Sequence, residues 1–335
     1  MRPIALDAMG GDNAPAAIVA GASRAVRAGI PVVLVGDKAV IKPLLPKGSK
    51  LKIVHAAESI GMDESPSAAV RTKKNASIRV ANRLVAEGKA SAVVGFGNTG
   101  ALMAASLMEL GRIDGVERPA VITTLPRIDG GQLVLLDLGA NVDCKPSHLG
   151  QFAVMGHVFA QDVLQIERPR VGLLSNGEEE GKGNEQVRAA MPVLSVLPID
   201  FVGPVEPNFA LNGGCEVVVC DGFVGNIMLK SVEAAIGVAG KVLKEEIIRR
   251  IDAKLGARLL RGALQRYRKR TSASGVGGAF LLGVNGTVLV GHGAADAAAV
   301  LSAIKRAHRA AEEGLTDHIG QAISAVLQDI AQDDT

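Results

Sequence analysis

Aromatic side chains are nearly missing from this 335-residue chain, which has seven Phe, one Tyr and no Trp, 2% in all. Proteins that hold single-stranded nucleic acid rely on aromatic faces for base stacking, so a nucleic-acid partner is the first class excluded. Cysteine is scarce and poorly spaced. Cys144, Cys215 and Cys220 form an odd set with no CxxC pair and no His at ligand spacing, which argues against a disulfide framework and against a zinc site, so no metal is expected. A reducing cytosol suits such a set. Long apolar runs are missing too: the start MRPIALDAMGG has no long apolar stretch after its Arg, and no window reaches the ~18–20 apolar residues of a bilayer span. The expected location is the cytoplasm.

What is present is a globular composition, 48% hydrophobic and 21% charged, with 40 Gly. The net charge of +3 hides an uneven distribution. Residues 241–270 hold eleven basic against three acidic residues, a net +8, which leaves −5 for the remainder. Ile247, Ile248, Ile251, Leu255, Leu259, Leu260 and Leu264 recur there at three-and-four spacing between Arg and Lys. An apolar helix face flanked by cations is attracted to anionic lipid headgroups, and a basic face also steers acidic proteins. The same pattern fits an ordinary helix pair or dimer contact.

Short runs of β-branched residues at 4–6, 32–35, 91–94, 133–136, 171–174 and 217–219 alternate with glycine-rich segments and helix-period stretches. Runs apolar at nearly every position fit strands covered on both faces, so the expected fold is α/β: a mostly parallel, Rossmann-like open sheet sandwiched by helices. Helices are expected at 14–28, 67–87, 101–110, 147–164, 184–195 and 225–270, then a hairpin around Asn285-Gly286, then helices at 294–313 and 315–331. No linker interrupts the pattern. Residues 1–335 read as a single catalytic domain, with 225–270 a protruding helical excursion that serves a membrane or dimer contact.

In open parallel sheets ligands collect beyond the carboxyl ends of the strands, and five polar, glycine-rich segments lie there. The first holds Asp7, Gly10, Gly11 and Asp12, whose paired glycines let backbone N–H groups approach an anion. The second, Gly95-Phe96-Gly97-Asn98-Thr99-Gly100, matches GxGxxG, but no acidic residue ends a strand about 20 residues on, which disfavours a nicotinamide site. Glycine-lined donors at a helix start, with Asn98, Thr99 and Gly100, suit phosphate in general. The third runs from Asp137 through Asn141 to Lys145-Pro146. The fourth, from Asn176 through three glutamates to Gly181-Lys182-Gly183, puts Lys182 where a phosphate-binding cation would serve; the glutamates read as solvated surface. The fifth is Asp221-Gly222-Phe223-Val224-Gly225-Asn226. His148 and His292 read as structural.

In order and spacing, the strings LDAMGGD, GNTGALMA, LDLGANVDCKP, NGEEEGKGNE, VVVCDGFVGNI and GTVLVGHGAA resemble the PlsX-type acyl-ACP:phosphate acyltransferases from Leu6 to about Ala295. The resemblance implies a fold related to phosphotransacetylases and isocitrate dehydrogenases, a homodimer, and no cofactor. It implies attack of inorganic phosphate on the thioester of a long-chain acyl carrier protein, giving acyl phosphate for bacterial phospholipid synthesis. It further implies peripheral contact with an anionic inner membrane, where a membrane glycerol-3-phosphate acyltransferase takes the product. Lys182 and Asn226 match the family's catalytic Lys and Asn. Lys182 is assigned to phosphate and developing charge, and Asn226 to the oxyanion. Asp7, Gly10, Gly11, Asp12, Asn98, Thr99, Gly100, Asn141, Asn176 and Asp221 are the expected substrate-binding shell. Ile251, Leu255, Leu259, Leu260 and Leu264 are the expected membrane contacts.

The chemistry agrees, since phosphate is already a nucleophile and no GxSxG elbow is needed. Orientation of two bound partners removes ~7–11 kcal/mol of barrier, and each oxyanion donor adds ~2.7–4 kcal/mol. Two departures from the family pattern stand out: TSASGVGGA at 271–279 lacks a Tyr-Asn pair found in many members, and Val290 precedes Gly291-His292-Gly293 where a Lys is common. Both read as altered substrate fit or lid behaviour. The alternatives are a CoA-dependent phosphotransacylase, which needs a further basic cluster for the nucleotide, and a non-enzymatic membrane-recruited scaffold, which needs neither Lys182 nor Asn226.

Overall fold

The computed structural model describes residues 2–179, 181–271 and 278–333. Its strands are β1 (Ile4–Asp7), β2 (Val32–Gly36), β3 (Lys52–His55), β4 (Ala92–Gly95), β5 (Ala120–Pro126), β6 (Gln132–Leu136), β7 (Arg170–Leu174), β8 (Asp200–Val205), β9 (Val217–Val219), β10 (Ala279–Leu282) and β11 (Thr287–Val290). The helices are α1 (Ala16–Arg27), α2 (Lys38–Ile41), α3 (Pro66–Thr72), α4 (Ser77–Ala86), α5 (Thr99–Glu109), α6 (Pro146–Asp162), α7 (Glu185–Ser195), α8 (Pro207–Leu211), α9 (Gly222–Arg249), α10 (Ile251–Leu259), α11 (Arg261–Thr271), α12 (Ala297–Glu312) and α13 (Leu315–Asp333). The strands pair into one sheet in the order β3-β2-β1-β4-β11-β10-β5-β6-β9-β7-β8.

Alternate residues of each strand enter two separate cores, as strands apolar throughout require. Ile4, Leu6, Val134 and Leu136 pack on one face under α1, α6, α7, α12 and α13, while Ala5, Val93, Leu133, Leu135 and Val218 pack on the other against α3, α4 and α5. The sheet is therefore the middle layer of three, with the expected mostly parallel pairing. Antiparallel pairing is confined to the centre, at β11/β10, β10/β5 and β5/β6. The β10–β11 turn is the expected Asn285-Gly286. Three reversals in succession leave β6, β9 and β7 running opposite to β1, β4 and β11. Loops that follow the strands of the two halves thus leave opposite edges of the sheet.

Two helices expected to be continuous are broken. The stretch 67–87 divides into α3 and α4 because Glu58 captures the residues between them: its carboxylate accepts from Asn75 N–H at 2.9 Å and its carbonyl from Ser77 N–H at 2.8 Å. The stretch 225–270 begins three residues earlier, at Gly222, because Asp221 caps it, with its carboxylate accepting from Val224 N–H at 2.8 Å. It breaks at Arg250, whose backbone is extended (φ −121°, ψ 138°) and whose guanidinium turns to Asp252 at 2.6 Å, and again at Leu260, between α10 and α11. One further expectation needs correction: an 18-residue window within α9 is long and apolar enough to cross a bilayer, and only 17% of it is buried. Lys230 and Glu233 punctuate that stretch, so apolar runs alone understate its hydropathy.

Candidate functional site

The five glycine-rich segments fall into two groups. At one edge the loops after β1, β4 and β11 interlock backbone on backbone. A Cβ on Gly10 would lie 2.8 Å from Gly97 Cα, and one on Gly11 3.0 Å from the Phe96 carbonyl oxygen, so only glycine fits either place. Asp12 N–H donates to the Gly293 carbonyl at 2.8 Å. The buried Asp7 carboxylate accepts from Met9 N–H at 3.0 Å and from Ser77, and burial raises its pKa. Asn98 caps α5 by accepting from Ala101 N–H at 3.0 Å, while its amide donates to the carbonyls of Gly61, Met62 and Glu64. Asp12 and Thr99 are exposed; Gly100 lies against Pro66. His292 accepts from Ala294 N–H at 3.1 Å, a turn contact.

At the other edge the loops after β6, β7 and β9 come from adjacent parallel strands. The hub is Asp137, fully buried at the end of β6. Its two carboxylate oxygens accept from the N–H groups of Val121, Leu138, Ala140 and Asn141 and from the Asn141 side-chain amide, at 2.7–3.2 Å. Burial raises its pKa against those bonds. The Asn141 amide also donates to the Pro119 carbonyl at 2.8 Å, and the Asn141 carbonyl accepts from Gly222 N–H at 2.7 Å. The first turn of α9 therefore rests directly on the 137–141 loop. A Cβ on Gly225 would stand 2.0 Å from the Asp137 carbonyl oxygen, and one on Gly222 2.8 Å from Gly139 Cα.

That seating places Asn226 one turn into α9, half-buried, with its amide nitrogen 4.0 Å from where a Cβ on Gly139 would be. Asp221 is the cap, so the Asn226 amide is free of that duty; it has no hydrogen-bond partner among the described residues. On the neighbouring strand's loop, Asn176 accepts from Gly183 N–H at 2.9 Å and fixes the turn that carries Lys182. The Lys182 stem packs over Gly177, and its ammonium is exposed with no carboxylate paired to it among the described residues. Gln186, just past that turn in α7, ties it to the loop after β6 by donating to the Cys144 carbonyl at 2.7 Å. His148 is buried and structural, accepting from Lys145 N–H at 3.1 Å and facing Glu117 at 3.1 Å.

No thiol here is poised as a nucleophile. Burial, then the Asp137 and Asp221 carboxylates, push Cys144 up to about 12, and burial raises Cys215 to about 12 and Cys220 well above its ordinary value. Among the described residues no three His, Cys, Asp or Glu gather as a metal site. Glu178 and Glu179 are exposed, and Glu180 lies outside the described residues. So do residues 272–277, where the chain departs from the family's Tyr-Asn pattern. Sequence reasoning placed Asp137 and glycines 139, 222 and 225 within the third and fifth segments but gave none of them a role of its own. The available signal was an acidic residue closing a wholly apolar strand.

A family model described as "Fatty acid synthesis protein" matches residues 2–318. The chain is 47% identical to the phosphate acyltransferase of Trichlorobacter lovleyi, over 96% of this chain and 94% of that protein. It is 47% identical to that of Desulfitobacterium hafniense strain DSM 10664, over 94% and 96%. Among solved structures, a phosphotransacetylase from Streptococcus pyogenes superposes with a TM-score of 0.61 at 18% identity, covering 92% of this chain and 94% of that one. A branched-chain phosphotransacylase from Enterococcus faecalis gives 0.59 at 16%, covering 92% and 99%. These structures establish a shared fold, while identity near one half along almost the whole length establishes kinship: the chain belongs to the PlsX-type phosphate acyltransferase family and is an enzyme of that type.

Proposed function

We propose that this enzyme transfers the acyl group of a long-chain acyl-ACP to inorganic phosphate, feeding phospholipid synthesis. A phosphate oxygen adds to the thioester carbonyl carbon. The tetrahedral intermediate collapses with cleavage of the C–S bond, and the departing carrier thiolate takes a proton from solvent. The products are acyl phosphate and free carrier protein. Lys182 neutralises phosphate, and the Asn226 amide donates to the oxyanion. Asn141, Asn176 and Asp221 hold those two in place. The observation that carries the reading is that Lys182, on the loop after β7, and Asn226, in the first turns of the helix after the adjacent strand β9, are both without a side-chain partner among the described residues, in a chain of this family. High thiol pKa values fit direct attack by phosphate in place of an acyl-cysteine.

Residues 1–335 act as one catalytic unit in a cytoplasmic homodimer, with α9–α11 bringing it to the anionic inner membrane beside the glycerol-3-phosphate acyltransferase. Leu255 and Leu259 are 64% and 83% exposed, and Leu260 is exposed beside them, in the segment of net +8. Anionic vesicles are expected to float the protein at low salt and to lose it on Leu259→Glu; equal flotation of that variant would sink the membrane reading, and retention by acidic carrier instead of vesicles would reassign the arm.

The reaction is tested by release of free carrier from palmitoyl-ACP with and without phosphate, trapping acyl phosphate with hydroxylamine. Phosphate-dependent hydroxamate, lost in Lys182→Ala and Asn226→Ala, is expected. Activity with palmitoyl-CoA but not palmitoyl-ACP would move the enzyme to the CoA-dependent class, and full activity in both variants would remove the residue assignment.

A further inference from the structure

A groove of about 510 Å³ opens beside the second group of loops, between the end of α5, the segment 112–119 and the start of α6. It is lined by three cations, Arg112, Arg118 and Lys145, with Glu117 and His148 on the wall and the exposed apolar side chain of Leu107 at one end. We propose that this groove binds the phosphodiester-bearing arm of the thioester donor, with Arg118 and Lys145 on the anion; this rests on the carrier-linked reaction proposed above.

The segment is built before any ligand arrives. Gln151 of α6 accepts from Glu117 N–H at 2.8 Å and donates to the Gly115 carbonyl at 2.8 Å, and Arg112 donates to the Glu117 carbonyl. The groove's one carboxylate, Glu117, faces His148 at 3.1 Å. Arg118 and Lys145 have neither an ion pair nor a side-chain hydrogen bond among the described residues. Two unpaired cations over one concavity form an anion site, and a guanidinium accepts a phosphate in bidentate fashion.

Position identifies the anion. Asn141 donates to Pro119 in the groove wall and accepts from Gly222 at the start of α9, so a single residue separates the groove from the turn that carries Asn226. The volume falls within the ~300–1,000 Å³ of sites that enclose extended organic ligands, well beyond what one phosphate ion fills. A donor whose anionic end sits on Arg118 and Lys145 would lie one residue, Asn141, away from the turn that presents Asn226.

Full-length Arg118→Glu, Arg118→Lys and Lys145→Ala provide the test. Arg118→Glu is expected to raise KM for palmitoyl-ACP at least tenfold, with Arg118→Lys recovering part of it, and the increase should vanish with S-palmitoyl-pantetheine, which lacks the phosphodiester. A rise in KM for inorganic phosphate instead, or equal loss with both donors, would overturn the assignment. Independently of turnover, fluorescence titration should show holo-carrier binding weakened by Arg118→Glu while apo-carrier binding stays the same. If the parent binds holo-carrier in this way but makes no acyl phosphate, the reaction fails and the groove stands; if holo and apo forms bind alike, the groove fails.

Discussion

Gly225→Ala is the sharpest probe of how α9 presents Asn226. Glycine inside a helix costs up to about 1 kcal/mol relative to alanine, so on propensity alone the substitution should stabilise the protein. Here the new Cβ would stand 2.0 Å from the Asp137 carbonyl oxygen and 2.7 Å from Cys220 Sγ, where an ordinary contact begins near 3.4 Å. Asp137 is immobilised by its hydrogen bonds and Cys220 lies in the core, so relief must come from α9, whose first turn has to move by about 1.4 Å. A displacement of about 1 Å in a reacting group costs on the order of 10²-fold in rate. We therefore expect kcat with palmitoyl-ACP to fall about 100-fold while far-UV circular dichroism shows an intact fold; without Trp, fluorescence is the poorer probe. Gly237→Ala, in the same helix with nothing within 4 Å of its Cβ position, is the control and should retain parental activity. Gly225→Ala within threefold of the parent would refute the steric seating of Asn226.

Glu216 accepts from Arg127 at 2.8 Å and from Arg170 at 2.8 Å, and these cations hold its pKa down to about 2. Because the folded value lies below the unfolded value of 4.5, the pair's stabilisation is complete above that value and drains as pH falls toward 2. Glu216→Gln should cost up to about 3 kcal/mol at pH 7 and about 2 at pH 3.5 in urea unfolding followed by circular dichroism, and a pH-independent difference would refute it. Asp221→Ala leaves the Val224 N–H of α9 unpaired and should lower stability by about 1 kcal/mol, read from the same curves. Asn98→Asp keeps the α5 cap but turns a carboxylate oxygen toward the carbonyls of Gly61, Met62 and Glu64, so the melting temperature should drop by several degrees at neutral pH. An unchanged melting temperature would mean those three contacts contribute nothing.

The strands legible in the sequence were those buried on both faces, such as 32–35 and 133–136, because burial leaves an unbroken apolar run. Strands β3 and β8 were not, since each is an edge strand with one unpaired side and carries polar residues or Gly203-Pro204. Thr123-Thr124 and the flanking Pro residues hid β5 as well. Strand direction was legible only in part: the Asn285-Gly286 hairpin marked β10 and β11 as antiparallel, but periodicity specifies which face a residue takes and not which way the chain runs, so the further reversals at β10/β5 and β5/β6 emerge only from pairing. The start of α9 was misread for a related reason, because Gly222 is a poor helix former whose place there is decided by its close approach to Gly139.

That reversal gives physical content to the difference between two kinds of glycine-rich loop. At the edge of β1, β4 and β11 the glycines admit backbone to backbone, and the polar groups of Asp7, Asn13 and Asn98 find their partners within the protein. At the edge of β6, β9 and β7, Gly139, Gly222 and Gly225 seat a helix against a loop, Gly177 and Gly183 frame Lys182, and neither the Asn226 amide nor the Lys182 ammonium has a partner among the described residues. Both groups are open to water in the free protein, so what distinguishes them is that no contact within the protein has to break before they meet a ligand. A loop whose donors are already satisfied has little to offer a phosphate or an oxyanion. On that ground the roles proposed for Lys182 and Asn226 rest on the second edge, while the Asp7 to Asp12 and Asn98 to Gly100 motifs interlock the loops that follow β1, β4 and β11.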